Sequence, residues 1–163
     1  MKRNKIKELL RADDSVLVFD VDGVLAVCEF GEYTHFAFTD DEWDRLCESG
    51  FSPYNEEKVS PRMQKFLEGK DKSRIYVITA SGSSNEGEDK VVFVNSFYGI
   101  PRENVYYVDR KRNKLEVLKM IKAKYPNLDD HKLIMIDDTC SVLNEIMRNS
   151  NFSTAHISSF LDI

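Results

Sequence analysis

The stretch Val16-Leu17-Val18-Phe19-Asp20-Val21-Asp22-Gly23-Val24 constrains this chain more than any other. Four consecutive apolar residues, two of them β-branched and one aromatic, predict a short strand covered on both faces, as in a parallel sheet between helical layers. The run stops at two carboxylates one residue apart, followed by a glycine. In an open parallel sheet, ligands bind beyond the carboxyl ends of the strands, so Asp20 and Asp22 stand at the mouth of a site. Two like charges that close are costly to bury without a neutralising cation. Mg²⁺ meets this need, because it is a hard ion that takes oxygen ligands, usually one or two carboxylates together with phosphate.

The rest of the chain repeats the strand motif. Residues 2–12 place Ile6, Leu9 and Leu10 on one helical face. Three further apolar runs, Ile75–Ile78, Val105–Val108 and Leu133–Ile136, alternate with helical segments near 88–98, 113–125 and 142–147, and a weaker fifth strand is expected at 154–157. This alternation predicts a doubly wound, Rossmann-like α/β fold: a parallel sheet of about five strands with helices on both faces. Residues 26–58 interrupt the pattern with Cys28, Phe30, Tyr33, Phe36, Phe38, Trp43, Phe51 and Tyr54. Ala26 to Phe38 reads as a hairpin turning at Gly31-Glu32. Thr39-Asp40-Asp41-Glu42 has capping-box spacing and opens a short helix through Leu46. Ser60-Pro61 starts another, which Gly69 closes.

A length of 163 residues fits one domain spanning 1–163, with 26–58 as a small insertion after the first strand. A net charge of -5 argues against a broad nucleic-acid footprint. Three scattered cysteines form neither a disulfide framework nor a zinc site, and no stretch is long enough to span a membrane. A cytoplasmic protein is therefore the expectation.

The ends of the strands carry the chemistry. They are Asp20 and Asp22, then Thr79, then Asp137 and Asp138. Parallel strands deliver these groups to one edge of the sheet. The basic run Arg110-Lys111-Arg112-Asn113-Lys114 lies at an expected helix start, where the backbone dipole favours anions over cations. A phosphate held by helix amides and a lysine resolves that conflict.

Taken together, these residues resemble the haloacid dehalogenase superfamily in its Mg²⁺-dependent phosphatase branch, with a small cap or none. The family's first motif, Asp-x-Asp-x-(Thr or Val), matches Asp20-Val21-Asp22-Gly23-Val24, and the second, a hydroxyl after an apolar strand, matches Thr79. The third, a lysine near a helix start, is best matched by Lys114, with Lys111 the competitor. The fourth, an acidic pair, matches Asp137-Asp138. A further acid or Asn, often found four residues past the metal-binding acid, is replaced here by Val142.

The resemblance implies a phosphoric monoester hydrolase working through an aspartyl-phosphate. Asp20 would be the nucleophile and Asp22 the general acid and base. Thr79 and the amide of Ala80 would hold phosphoryl oxygens, and Lys114 would neutralise charge. Mg²⁺ would be held by the Asp20 carboxylate, the Asp22 carbonyl and Asp138, with Asp137 beside it. Asp22 excludes the dehalogenases that name the superfamily, which lack this second acid. The expected substrate is a small phosphorylated metabolite, with no nucleic-acid or membrane partner. The insertion, through its aromatics or His35, would set specificity; one alternative is a 5'-nucleotidase of the same superfamily, differing only in its leaving group. Another is a phosphoryl-accepting receiver or an inactive binding module. A receiver places its lysine after the hydroxyl near the chain's end, whereas here an acid pair comes last.

Overall fold

The computed structural model describes residues 3–27, 37–55, 58–109 and 114–161. The opening helix α1 (Arg3–Arg11) leads into β1 (Val16–Phe19), whose four residues are all buried. Three strand–helix units follow: β4 (Ile75–Ser81) with α4 (Ser84–Tyr98), β5 (Val105–Asp109) with α5 (Lys114–Ala123), and β6 (Leu133–Asp137) with α6 (Cys140–Asn149). A last strand, β7 (Ser153–His156), completes a five-stranded parallel sheet ordered β5-β4-β1-β6-β7. The expected Rossmann-like fold is therefore the observed one, with β1 at its centre.

Alternation along β1 explains why its sequence is apolar throughout. Val16 and Val18 face one core with Leu115, Leu118 and Ile121 of α5 and Leu143 and Ile146 of α6. Leu17 and Phe19 face the other, with Leu10 of α1 and Val91, Phe93 and Val94 of α4. Each such side chain contributes about 2 kcal/mol on burial, so a polar residue anywhere in this strand would be costly.

The insertion contains β2 (Ala26–Val27), α2 (Asp40–Glu48) and β3 (Lys58–Val59), followed by α3 (Pro61–Leu67). The expected capping box at α2 is present in full, with the Thr39 hydroxyl accepting from the Glu42 amide and the Glu42 carboxylate accepting from the Thr39 amide. Ser60 caps α3, with Pro61 in its first turn. The described partner of β2 is β3, antiparallel, with Ala26 opposite Val59. The hairpin turn expected at Gly31-Glu32 lies outside the described residues, as do Cys28, Phe30, Tyr33, His35 and Phe36.

Two boundaries differ from the sequence reading. β4 continues to Ser81, and α4 begins at Ser84 rather than near Glu88. Ser83 explains the early start: its hydroxyl accepts from the Glu86 amide, so the polar run 83–87 forms a helix N-terminus rather than a loop.

Candidate active site

Strand register brings the acids together. Phe19 pairs with Ile136, and the Asp20 amide donates to the Ile136 carbonyl at 2.9 Å. Asp20 and Asp137 thus leave adjacent strands at the same level. β4 lies on the other side of β1, so Thr79, which is fully buried, occupies the same carboxyl edge. One oxygen from each of Asp20, Asp137 and Asp138 lies within 4.8 Å of the other two.

Lys114, the first residue of α5, reaches into this group. Its buried ammonium lies 2.9 Å from Asp20 Oδ1 and donates to Asp137 Oδ2 at 2.8 Å. Lys114 is thus the buried counter-charge shared by Asp20 Oδ1 and Asp137 Oδ2. Burial raises the Asp20 carboxyl above the usual carboxylate range, with Asp137 and Asp22 pushing the same way and Lys114 opposing. Burial also works against the Lys114 charge, but the two carboxylates outweigh it and raise its pKa above the ordinary lysine value. Lys111, the competing lysine, and Asn113, the expected helix cap, lie outside the described residues.

Asp137 and Asp138 differ in their freedom. Asp137 is fully buried, with Lys114 on Oδ2 and the Thr139 amide on Oδ1 at 2.8 Å. Asp138 is half-buried; its Oδ1 accepts from the Thr139 hydroxyl, and its carbonyl meets His156 Nε2 at 2.9 Å. Its Oδ2 lies 2.3 Å from where a Cβ on Gly23 would sit. Gly23 also has φ of 72°, in the left-handed region. The glycine of the first motif thus turns the chain tightly and leaves room for the Asp138 carboxylate.

The Asp22 carboxylate does not join this cluster. Tyr54 Oη donates to its Oδ1 at 2.7 Å, and Lys90 Nζ lies 2.7 Å from its Oδ2. Lys90 also meets Glu86 Oε1 at 2.9 Å and donates to the Ala80 carbonyl at 2.5 Å. Burial opposes the Lys90 charge, yet Asp22 and Glu86 together raise its pKa. Burial pushes the Glu86 carboxyl up, but Lys90 and donors from Gly82 and Trp43 overcome this and hold it below its ordinary value. Glu86 is therefore a hub. It accepts from the Gly82 amide at 2.7 Å, from the Ser81 hydroxyl at 3.2 Å and from Trp43 Nε1 at 3.1 Å. Through Trp43 the insertion helix α2 is fastened to the segment after Thr79. Gly82 permits the contact, since a Cβ there would collide with Asp44 of the same helix.

Sequence reasoning missed Glu86, Lys90, Tyr54 and Trp43 as parts of this site. A signal existed for the first two: Glu86, Lys90, Val94 and Tyr98 recur every fourth residue, so the charged pair lies on the buried stripe of α4. Glu–Lys pairs at this spacing are commonly surface pairs, which hides the signal. The described aromatics Trp43 and Tyr54 are buried, and their polar atoms bond inward, so they fasten the insertion to the core.

The donor set fits a divalent cation. Among the described residues, three carboxyl groups share the single Lys114 ammonium, so the cluster holds more acid than base. All the donors are hard oxygens, and Gly23 leaves space beside Asp138. These properties suit Mg²⁺ better than a metal that prefers nitrogen or sulfur.

No family model and no curated protein matches the chain. Among solved structures it is similar to DsGPDH of Dunaliella salina, with a TM-score of 0.58 at 16% identity over 94% of this chain and 25% of that one. The chain therefore spans about a quarter of the DsGPDH chain's length. It is also similar to the HAD domain of effector protein Lem4 from Legionella pneumophila, at 16% identity, with a TM-score of 0.49 over 87% of this chain and 85% of that one. The inactive mutant of that domain gives a TM-score of 0.46 over 87% and 84%, again at 16% identity. At such identity, the likeness to DsGPDH is one of fold. No described helix is long and apolar enough to cross a membrane.

Proposed function

We propose that this protein is a Mg²⁺-dependent phosphomonoester hydrolase of the haloacid dehalogenase type, acting on a small phosphorylated metabolite. The observation that carries the proposal is the buried Asp20 carboxylate, bridged to Asp137 by Lys114 and adjoining Asp138 at the carboxyl edge of the sheet. Asp20, Asp138 and the Asp22 carbonyl would hold the ion, with Asp137 braced behind them by Lys114 and the Thr139 amide. When bound, Mg²⁺ supplies the positive charge that lets a carboxylate and a phosphate dianion approach each other.

The protein's own groups do the rest. Asp20 attacks phosphorus to form an aspartyl-phosphate as the ester oxygen departs. Asp22 gives that oxygen a proton and then takes one from the water that hydrolyses the intermediate. The Thr79 hydroxyl and the Ala80 amide hold phosphoryl oxygens, and Lys114 balances their charge without reorganising. The insertion at about 26–58 acts as the small flap that shapes the leaving-group side. Trp43 and Tyr54 bond inward and fasten the insertion to the core.

The test is a screen of phosphorylated metabolites and 4-nitrophenyl phosphate with Mg²⁺, repeated with chelator. Turnover that disappears with chelator and returns with Mg²⁺ is expected. Turnover unaffected by chelation would overturn the metal assignment.

A further inference from the structure

Lys90 is a buried lysine that none of the four phosphatase motifs contains. It is 1% exposed. An ammonium has three hydrogens, and here three oxygens receive them: Ala80 O, Glu86 Oε1 and Asp22 Oδ2. The first two acceptors would suffice to fasten α4 to the end of β4. The third is different, because Asp22 belongs to the first motif and its side chain is 16% exposed. Burying an ion cluster is no efficient way to stabilise a fold, since apolar residues of the same volume do as well or better. What the ammonium adds is direction. With Tyr54 on one carboxylate oxygen and Lys90 on the other, Asp22 is held out of the Asp20–Asp137–Asp138 cluster.

We propose that Lys90 is a positioning residue that, with Tyr54, fixes the direction in which the Asp22 carboxyl faces the leaving oxygen. This inference rests on the phosphatase reading above. In the first step the bond from Asp20 to phosphorus forms, the ester P–O bond breaks, and the proton passes from Asp22 to the departing oxygen. Because Lys90 and Tyr54 already fix the side chain, no reorganisation of Asp22 is needed for that transfer. Glu86 holds Lys90 in turn, and Trp43 ties Glu86 to the insertion helix, so the acid is aimed by a chain of contacts starting in the flap.

Leaving-group dependence tests this, because proton donation matters more for a poor leaving group than for a good one. The probes are 4-nitrophenyl phosphate and phenyl phosphate, of nearly equal shape, assayed with Mg²⁺ on wild type, Lys90→Met and Asp22→Asn. Lys90→Met is expected to lower kcat/KM on phenyl phosphate roughly tenfold more than on 4-nitrophenyl phosphate, in parallel with Asp22→Asn. The loss should fall on kcat, with KM changed little. Should Lys90→Met fail to fold, Lys90→Gln keeps a buried donor and carries the same comparison. Equal losses on both esters by the folded Lys90 variant, while Asp22→Asn remains selective, would make Lys90 merely structural and overturn the proposal. Asp22→Asn without selectivity would overturn the proton role of Asp22 itself. A wild type inactive on both esters would overturn the phosphatase reading, and this inference with it.

Discussion

Two buried lysines lie at the carboxyl edge of one sheet, and each bridges two acids. Lys114 starts α5, packed on one face, and joins Asp20 to Asp137. Lys90 sits within α4, packed on the other face, and joins Asp22 to Glu86. Their surroundings differ. Around Lys114 a third carboxyl group, Asp138, adds to the acid, and Lys114 alone is shared between Asp20 and Asp137. Around Lys90 the acids are well supplied with donors from Tyr54, Trp43, Ser81 and Gly82. The first cluster is built with a deficit of positive charge, which suits a cation and a reacting group. The second is a satisfied scaffold that fixes one carboxylate. The two central acids accordingly shift in opposite directions, Asp20 upward by burial and Glu86 downward through its partners.

Replacing the proposed nucleophile should have the largest effect. Asp20→Asn is expected to lower kcat on 4-nitrophenyl phosphate by roughly 10⁴-fold or more. Wild-type turnover by this variant would remove the distinction between a reacting cluster and a supporting one.

Lys114→Ala comes next, with kcat/KM reduced by roughly a hundredfold. Because two acids then lose their buried counter-charge, stability without metal should fall by about 3 kcal/mol in denaturant melts. Mg²⁺ should restore part of that loss, since cation binding to the folded state alone stabilises it. Lys111→Ala is expected to stay within a few-fold of the parent, roughly the scale of an exposed charge. If Lys111→Ala is the crippled variant, the phosphate-facing lysine has been misassigned.

Gly23→Ala probes the space beside Asp138. A left-handed backbone with a side chain costs about 1 kcal/mol, and the new methyl displaces the Asp138 carboxylate. Mg²⁺ affinity measured by calorimetry should fall by roughly tenfold, about 1.4 kcal/mol. An unchanged affinity would place the ion away from Asp138.

The smallest effect separates the clusters by pH. Glu86 is held below its ordinary value of 4.5, so the stability it contributes is present above that pH and is lost as pH falls through its folded-state value. Asp20 is shifted upward, so acid relieves rather than destabilises it. Thermal melts below about pH 4.5 should therefore show a shallower acid loss for Glu86→Gln than for wild type. Identical acid limbs would mean that Glu86 gains nothing from Lys90 on folding.

The sequence by itself determined the sheet, its strands and the acids at their ends. Continuous apolar runs such as Val16–Phe19 can only be buried on both faces, and parallel connection then puts Asp20, Thr79 and Asp137 on one edge. The conflict between a basic run at a helix start and the backbone dipole points to the run 110–114, and the resemblance to Lys114 within it. Short-range chemistry likewise announces the capping box at Thr39, whereas the Ser83 cap lies ahead of the helix expected near 88–98. Only the tertiary structure decided where Asp22 points. Its partners Tyr54 and Lys90 are 32 and 68 positions away along the chain. Glu86 and Lys90 carry the same letters as any surface pair one turn apart. What makes them part of a site is the packing of α4 against the sheet with Trp43 above it. Strand periodicity is written locally, residue by residue, whereas the burial of a charge is decided by what the rest of the chain places around it.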